Sequence, residues 1–155
     1  MTVIIGCGNL LRSDDGVGPF LIRKLWDMGL PPGVRLADGG TAGMDVAFQI
    51  GDAEELIVVD ACHTGGEPGT IFEIPGEEVE TPPLKGIHLH AFRWDHALAM
   101  GKWLLKERFP KKVTVFLIEA ENVSHGFGLS PVVQAAMERL AEELLRRLGG
   151  KKSAS

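Results

Sequence analysis

Apolar residues recur along this chain in two rhythms. Short apolar runs at Val3-Ile4-Ile5 and Leu56-Ile57-Val58-Val59 predict buried strands, Val34 to Ala37 a short second strand, and Val113 to Ile118 a further strand. Thr70 to Ile74 alternates and predicts a strand nearer a sheet edge. Between these runs the apolar spacing lengthens to three and four residues. From Asp15 to about Met28 it predicts a helix with Val17, Phe20, Leu21, Leu25 and Met28 on one face, stopped by Gly29-Leu30-Pro31-Pro32-Gly33. A short helix is expected over Met44 to Ile50. Another runs from His90 to Phe109, with Leu98, Leu104 and Leu105 toward the core and Pro110 ending it. Ser130-Pro131 opens the last helix, which runs to about Leu148 and buries Val133, Met137, Leu140, Leu144 and Leu148.

Strands alternating with helices imply an α/β fold, a three-layer αβα sandwich around a mostly parallel twisted sheet of about five strands. Residues 1–149 are expected to form a single domain and 150–155 a flexible tail. Residues 75–89, rich in Pro, Gly and Glu, read as a long loop, and 119–129 as an irregular segment. If the first strand lies between the second and third, the chain reverses direction there and a crevice opens beyond the strand ends. The Gly6–Asp15 turn and Asp60 would face one another across it.

Composition narrows the choices. The 155 residues are 45% apolar and 24% charged, as in a soluble globular domain. The net charge of −5 is spread over interspersed acids and bases, and no basic patch interleaves with aromatics, so nucleic acid is not an expected partner. No apolar run approaches the ~20 residues that span a bilayer, so no membrane partner is expected. The chain enters a strand at once without a charged leader, which predicts a cytoplasmic protein. The two cysteines, Cys7 and Cys62, form no disulfide framework and read as small buried residues.

Chemistry concentrates at the predicted strand ends. Gly6-Cys7-Gly8-Asn9 is followed by the acidic pair Asp14-Asp15, and Asp60 closes an all-apolar run. A carboxylate in such a place is desolvated and needs a donor, a cation or a metal. A plainer reading makes Ser13 or Asp14 a helix N-cap and Asp15 a favourable charge in the first turn. Asp38, before two glycines, reads as turn chemistry. His88, His90 and His96 cluster within nine residues in a chain with five histidines, which points to metal or proton-transfer work, whereas His63 and His125 read as surface residues. The glycine turn fails the dinucleotide fingerprint, no Gly-Lys-Ser/Thr follows it, and no G-x-S-x-G occurs. Nothing in the sequence activates the Cys7 thiol, so a cysteine nucleophile ranks below a metal site.

The segments Gly6–Gly18, Asp38-Gly39-Gly40-Thr41-Ala42-Gly43, Val59-Asp60-Ala61 and Leu129-Ser130-Pro131 together resemble the hydrogenase maturation endopeptidases, in the family's order over nearly the whole chain. The resemblance implies an endopeptidase that removes the C-terminal extension of a nickel–iron hydrogenase large-subunit precursor after nickel insertion. It implies that Asp15, Asp60 and His90 are both the metal ligands and the catalytic residues. His90 follows from counting eight residues back from Leu98; His88 stays open, because the usual Ser or Thr two residues before His90 is missing. The segment Ile118-Glu119-Ala120-Glu121-Asn122 departs from the family's proline-containing version. The implied metal is nickel supplied by the substrate, with zinc or cadmium able to substitute in vitro, and the implied partner is the precursor, met by a monomer. The family is often classed with aspartic peptidases, but metal-mediated recognition ranks first, since a histidine has no place in an aspartate dyad. Two other readings stay open: a non-catalytic nickel-binding chaperone of the same precursor, and an α/β domain binding a small molecule through its glycine turns.

Overall fold

The computed structural model describes residues 1–40, 50, 53–76 and 105–153. Five strands, β1 (Thr2–Cys7), β2 (Val34–Gly40), β3 (Glu55–Cys62), β4 (Ile71–Pro75) and β5 (Lys112–Glu119), form one sheet in the order β2-β1-β3-β5-β4. β2, β1, β3 and β5 are mutually parallel, and β4 closes the far edge antiparallel to β5. β1 therefore lies between the strands that follow it in sequence. The chain reverses its direction of travel across the sheet at β1–β3, which is where α/β proteins open a crevice.

The central strands β1, β3 and the second half of β5 are apolar on both faces because both faces are covered. On one face, Ile4, Ile57, Val59, Phe116 and Ile118 pack against two helices, α1 (Val17–Met28) and α2 (Pro131–Ser153). On the other, Val3, Ile5, Leu56, Val58, Val115 and Leu117 pack with Ile50, Ala53, Leu105 and Phe109. The alternation follows from the two-residue period of a strand. All five α2 residues expected in the core are buried: Val133, Met137, Leu140, Leu144 and Leu148. Along α1, Val17, Leu21 and Leu25 are fully buried, whereas Met28 is exposed in the last turn. Gly29 ends α1 at a φ of 88°, as its place in the stop signal requires.

Element ends differ from the sequence reading in instructive ways. β2 runs on through Asp38-Gly39-Gly40, expected as a loop, because β1 keeps pairing with it as far as Cys7 and Gly40, across an irregularity after Gly6. β3 likewise continues past Val59, so Asp60 sits within the strand rather than closing it. The first helix does not begin at Asp15: Ser13–Gly16 is a single 3-10 turn and α1 starts at Val17. Lys106–Arg108 is also a 3-10 turn and Phe109 is already extended, so helical structure does not reach Phe109. α2 reaches Ser153 instead of stopping near Leu148. The helix continues through two glycines, although a glycine inside a helix costs about 1 kcal/mol. The expected Met44–Ile50 helix, except Ile50, most of the loop at 75–89, and the helix from His90 as far as residue 104 lie outside the described residues.

Candidate active site

The carboxyl edge of β1 and β3 carries the two aspartates singled out in the sequence. Gly6 of β1 pairs with Val59 of β3, so Asp60 lies one step beyond that pair toward the edge where β1 gives way to its glycine turn. Asp60 is wholly buried, and its Oδ1 accepts the Ala61 N–H at 2.7 Å. Asp15 is brought back to the same edge by Asn9, whose N–H donates to Asp15 Oδ2 at 3.1 Å. Asn9 also shapes the turn between them: its Oδ1 accepts the Leu11 N–H at 2.9 Å and its carbonyl accepts the Arg12 N–H at 3.1 Å. Gly8 makes this return path passable. A β-carbon there would lie 2.0 Å from the Asp15 carbonyl oxygen, and its φ of 144° suits glycine. Asp15 ends up 7% exposed, on a turn that packs directly against β3.

Asp14 is no helix cap. Its buried carboxylate reaches across to the segment after β5 and accepts the N–H groups of Glu121 (2.9 Å), Asn122 (3.0 Å) and Ser130 (2.7 Å), and the Ser130 hydroxyl (2.8 Å). Ser13 does not cap either; its hydroxyl donates to the Ser124 carbonyl at 2.9 Å. The loop carrying Asp15 is thereby fastened to residues 121–130, and Arg12 and Gly126 complete a parallel bridge between them.

A fourth buried carboxylate, Glu119, escaped the sequence reading. It ends β5, is fully buried, accepts the Thr64 N–H at 2.8 Å and the Thr64 hydroxyl, and faces Cys62 Sγ at 3.7 Å. The signal was available: like Asp60, Glu119 follows an unbroken apolar strand run. Burial, followed by the negative charges of Glu119 and Asp60, pushes the Cys62 thiol well above its ordinary range. Such a sulfur is a neutral packing group, in keeping with the reading of both cysteines as small buried residues outside any disulfide.

Asp38 is exposed on β2, on the rim of an open groove of about 770 Å³ between α1 and β2 that Trp26, Arg35 and Leu36 also line. His63 and His125 are exposed, as expected. His88, His90 and His96 lie outside the described residues. Among the described residues no three His, Cys, Asp or Glu side chains converge as a metal-ligand group. No helix among the described residues is long and apolar enough to cross a membrane.

The molecule is thus a doubly wound α/β protein with an acidic site at its topological switch point. Comparison with known proteins makes the class specific. The model of the hydrogenase maturation protease family matches residues 19–147. The chain is 30% identical to the hydrogenase 2 maturation protease of Escherichia coli over 94% of its own length and 89% of that protein's. It is 33% identical to the hydrogenase expression/formation protein HoxM of Cupriavidus necator over 97% of its length and 76% of that protein's. The solved structure of the hydrogenase maturating endopeptidase HybD from E. coli superposes with a TM-score of 0.80 at 29% identity, covering 97% of this chain and 93% of the other. The chain belongs to the hydrogenase maturation protease family, and it is a peptidase.

Proposed function

We propose that this peptidase removes the C-terminal extension of a nickel–iron hydrogenase large-subunit precursor after nickel has been inserted, and that the precursor's nickel is what it recognises. The observation that carries the reading is the burial of two carboxylates, Asp15 on the turn that follows β1 and packs against β3, and Asp60 within β3 itself. Carboxylate oxygens with an imidazole suit a borderline divalent ion, and three protein donors leave coordination positions for groups of the substrate. Asp15, Asp60 and His90 are the residues that would hold the ion, and zinc or cadmium would serve in nickel's place in vitro. A bound ion supplies charge that polarises a carbonyl and acidifies water. The chain's own part is positional: Asn9 orients Asp15, and pairing of β3 with β5 holds Asp60 opposite Leu117. The partner is the precursor, the enzyme acts as a monomer, and its place is the cytoplasm.

Asp60→Asn keeps the side chain's shape but removes the charge that a divalent ion requires. The variant is expected to fold normally and to fail to capture nickel-loaded precursor in a pull-down. Normal capture without cleavage would refute metal recognition and favour a carboxylate dyad, because binding and chemistry would then rest on different groups.

A further inference from the structure

We propose that Asp14 is a positioning residue for this reaction: it clamps the Asp15 loop to the N-terminus of α2 and so fixes the direction in which Asp15 presents its carboxylate. The inference rests on the proposed role of Asp15. Asp14 precedes Asp15 directly, yet none of the four donors to its carboxylate belongs to its own loop. Three are backbone N–H groups, of Glu121, Asn122 and Ser130, and the fourth is the Ser130 hydroxyl. The Asp14 N–H in turn donates to the Asn122 carbonyl at 2.9 Å, so backbone and side chain grip the same segment. Ser130 is itself anchored at the start of α2, where its carbonyl accepts the Gln134 N–H at 2.8 Å. The connection therefore runs from a rigid helix, through one serine and one carboxylate, to the residue beside Asp15.

The local backbone shows what the clamp holds. Ser13 sits at a φ of 52°, a left-handed conformation that non-glycine residues adopt only where their surroundings impose it. Its N–H donates to the Gly126 carbonyl at 2.8 Å, and the Gly126 N–H donates to the Leu11 carbonyl at 3.0 Å. Asp15 turns back to meet the Asn9 N–H immediately after this bend. Releasing Asp14 frees the bend and lets the Asp15 carboxylate swing. Partners that orient a ligand-bearing side chain are worth about 10–100-fold in metal affinity or activity.

Asp14→Asn places an NH2 against a backbone N–H whichever way the amide turns, because both carboxylate oxygens accept one. Capture and trimming of nickel-loaded precursor should fall about 10–100-fold. Ser130→Ala, which removes a single donor, should produce a smaller loss of the same kind, and Ser130→Thr should restore it. Leu140→Ala, in the α2 core, serves as the stability control: at an equal or greater drop in melting temperature it should capture and trim at the wild-type rate. Independently of activity, hydrogen exchange at the Asn9 amide should accelerate in Asp14→Asn while the core of α1 stays protected. Wild-type capture together with unchanged Asn9 exchange in Asp14→Asn would overturn the proposal. If that variant does not fold, wild-type values of both in Ser130→Ala would overturn it. Failure of the wild-type protein to capture or trim would refute the proposed function instead, and Asn9 exchange would still decide the clamp.

Discussion

Replacing Gly18 by alanine tests how tightly α1 sits on the sheet, and with it the platform for the site. Gly18 lies in the first turn of α1, over the junction of β1 and β3. A β-carbon there would stand 2.3 Å from the Cys7 carbonyl oxygen, 2.6 Å from its nitrogen and 2.7 Å from the Val59 carbonyl oxygen. Carbon and oxygen normally meet at about 3.5 Å, so the helix start would have to retreat by roughly 1 Å. The obstructing atoms are backbone of the two central strands and cannot turn aside as a side chain would. Overpacking costs about 1–3 kcal/mol where side chains can adjust; here we expect the upper end or beyond, with Val17 and Leu21 losing contact as α1 lifts. Alanine's helix preference returns about 1 kcal/mol. The net loss should be about 3 kcal/mol, or roughly 6–12 °C in melting temperature for a chain of this size. Gly149→Ala in α2 is the matched control, because a β-carbon there meets nothing within 4 Å. It should gain about 0.5–1 kcal/mol. Urea unfolding of both variants, with the m-value checked for constancy, gives the comparison. A Gly18→Ala protein melting within about 2 °C of wild type would refute the close-packing argument.

Two further outcomes are expected. The Cys62 thiol keeps its proton in the folded protein well above its ordinary pKa of 9.0, whereas the unfolded chain releases it near that value. Above that pH the folded state binds the extra proton, so stability is lost as pH rises, by up to about 1.4 kcal/mol per pH unit from this group. Urea titrations of wild type and Cys62→Ala between pH 8 and about 10.5 should show the wild type falling faster; parallel pH dependences would contradict the assignment. For the histidines, His90→Ala should abolish precursor processing and His96→Ala should leave most of it, with His88→Ala between the two. Mass measurement of the precursor C-terminus reads all three, and loss of processing in His88→Ala alone, with the fold intact, would move the third ligand to His88.

The centre of the sheet could be read from the sequence because β1, β3 and most of β5 are apolar on both faces, and such runs stand out from the amphipathic helices between them. The reading considered β1 between β2 and β3 as a condition for the crevice and placed β4 nearer an edge; both hold in the observed order, while the place of β5 between β3 and β4 was not read. Strand ends were harder. Asp38-Gly39-Gly40 and Asp60-Ala61-Cys62 break the apolar pattern, and only hydrogen bonding to the neighbouring strand keeps them extended. Sheet order also placed Asp15 and Asp60 at one edge. The roles of Asp14 and Glu119 were hidden for a different reason. Asp14 binds partners more than a hundred positions away, and Glu119 binds Thr64 across the sheet. Local spacing made Asp14 look like a cap because an acid before a helix usually is one.

The place of β5 between β3 and β4 governs the order in which the fold can close. β1, β2 and β3 are complete by Cys62 and can pair among themselves as soon as they are synthesised. The outer side of β3 then waits for Lys112–Glu119, and β4 pairs with no other described strand meanwhile. Until β5 arrives, Leu56 to Val59 present an apolar strand with open N–H and C=O groups, the kind of edge that recruits other chains. α2, which seals Phe116 and Ile118, comes later still. A stalled ribosome or a truncation before β5 would therefore leave an aggregation-prone half-sheet rather than a weakened peptidase, and chaperone demand should be greatest in that interval.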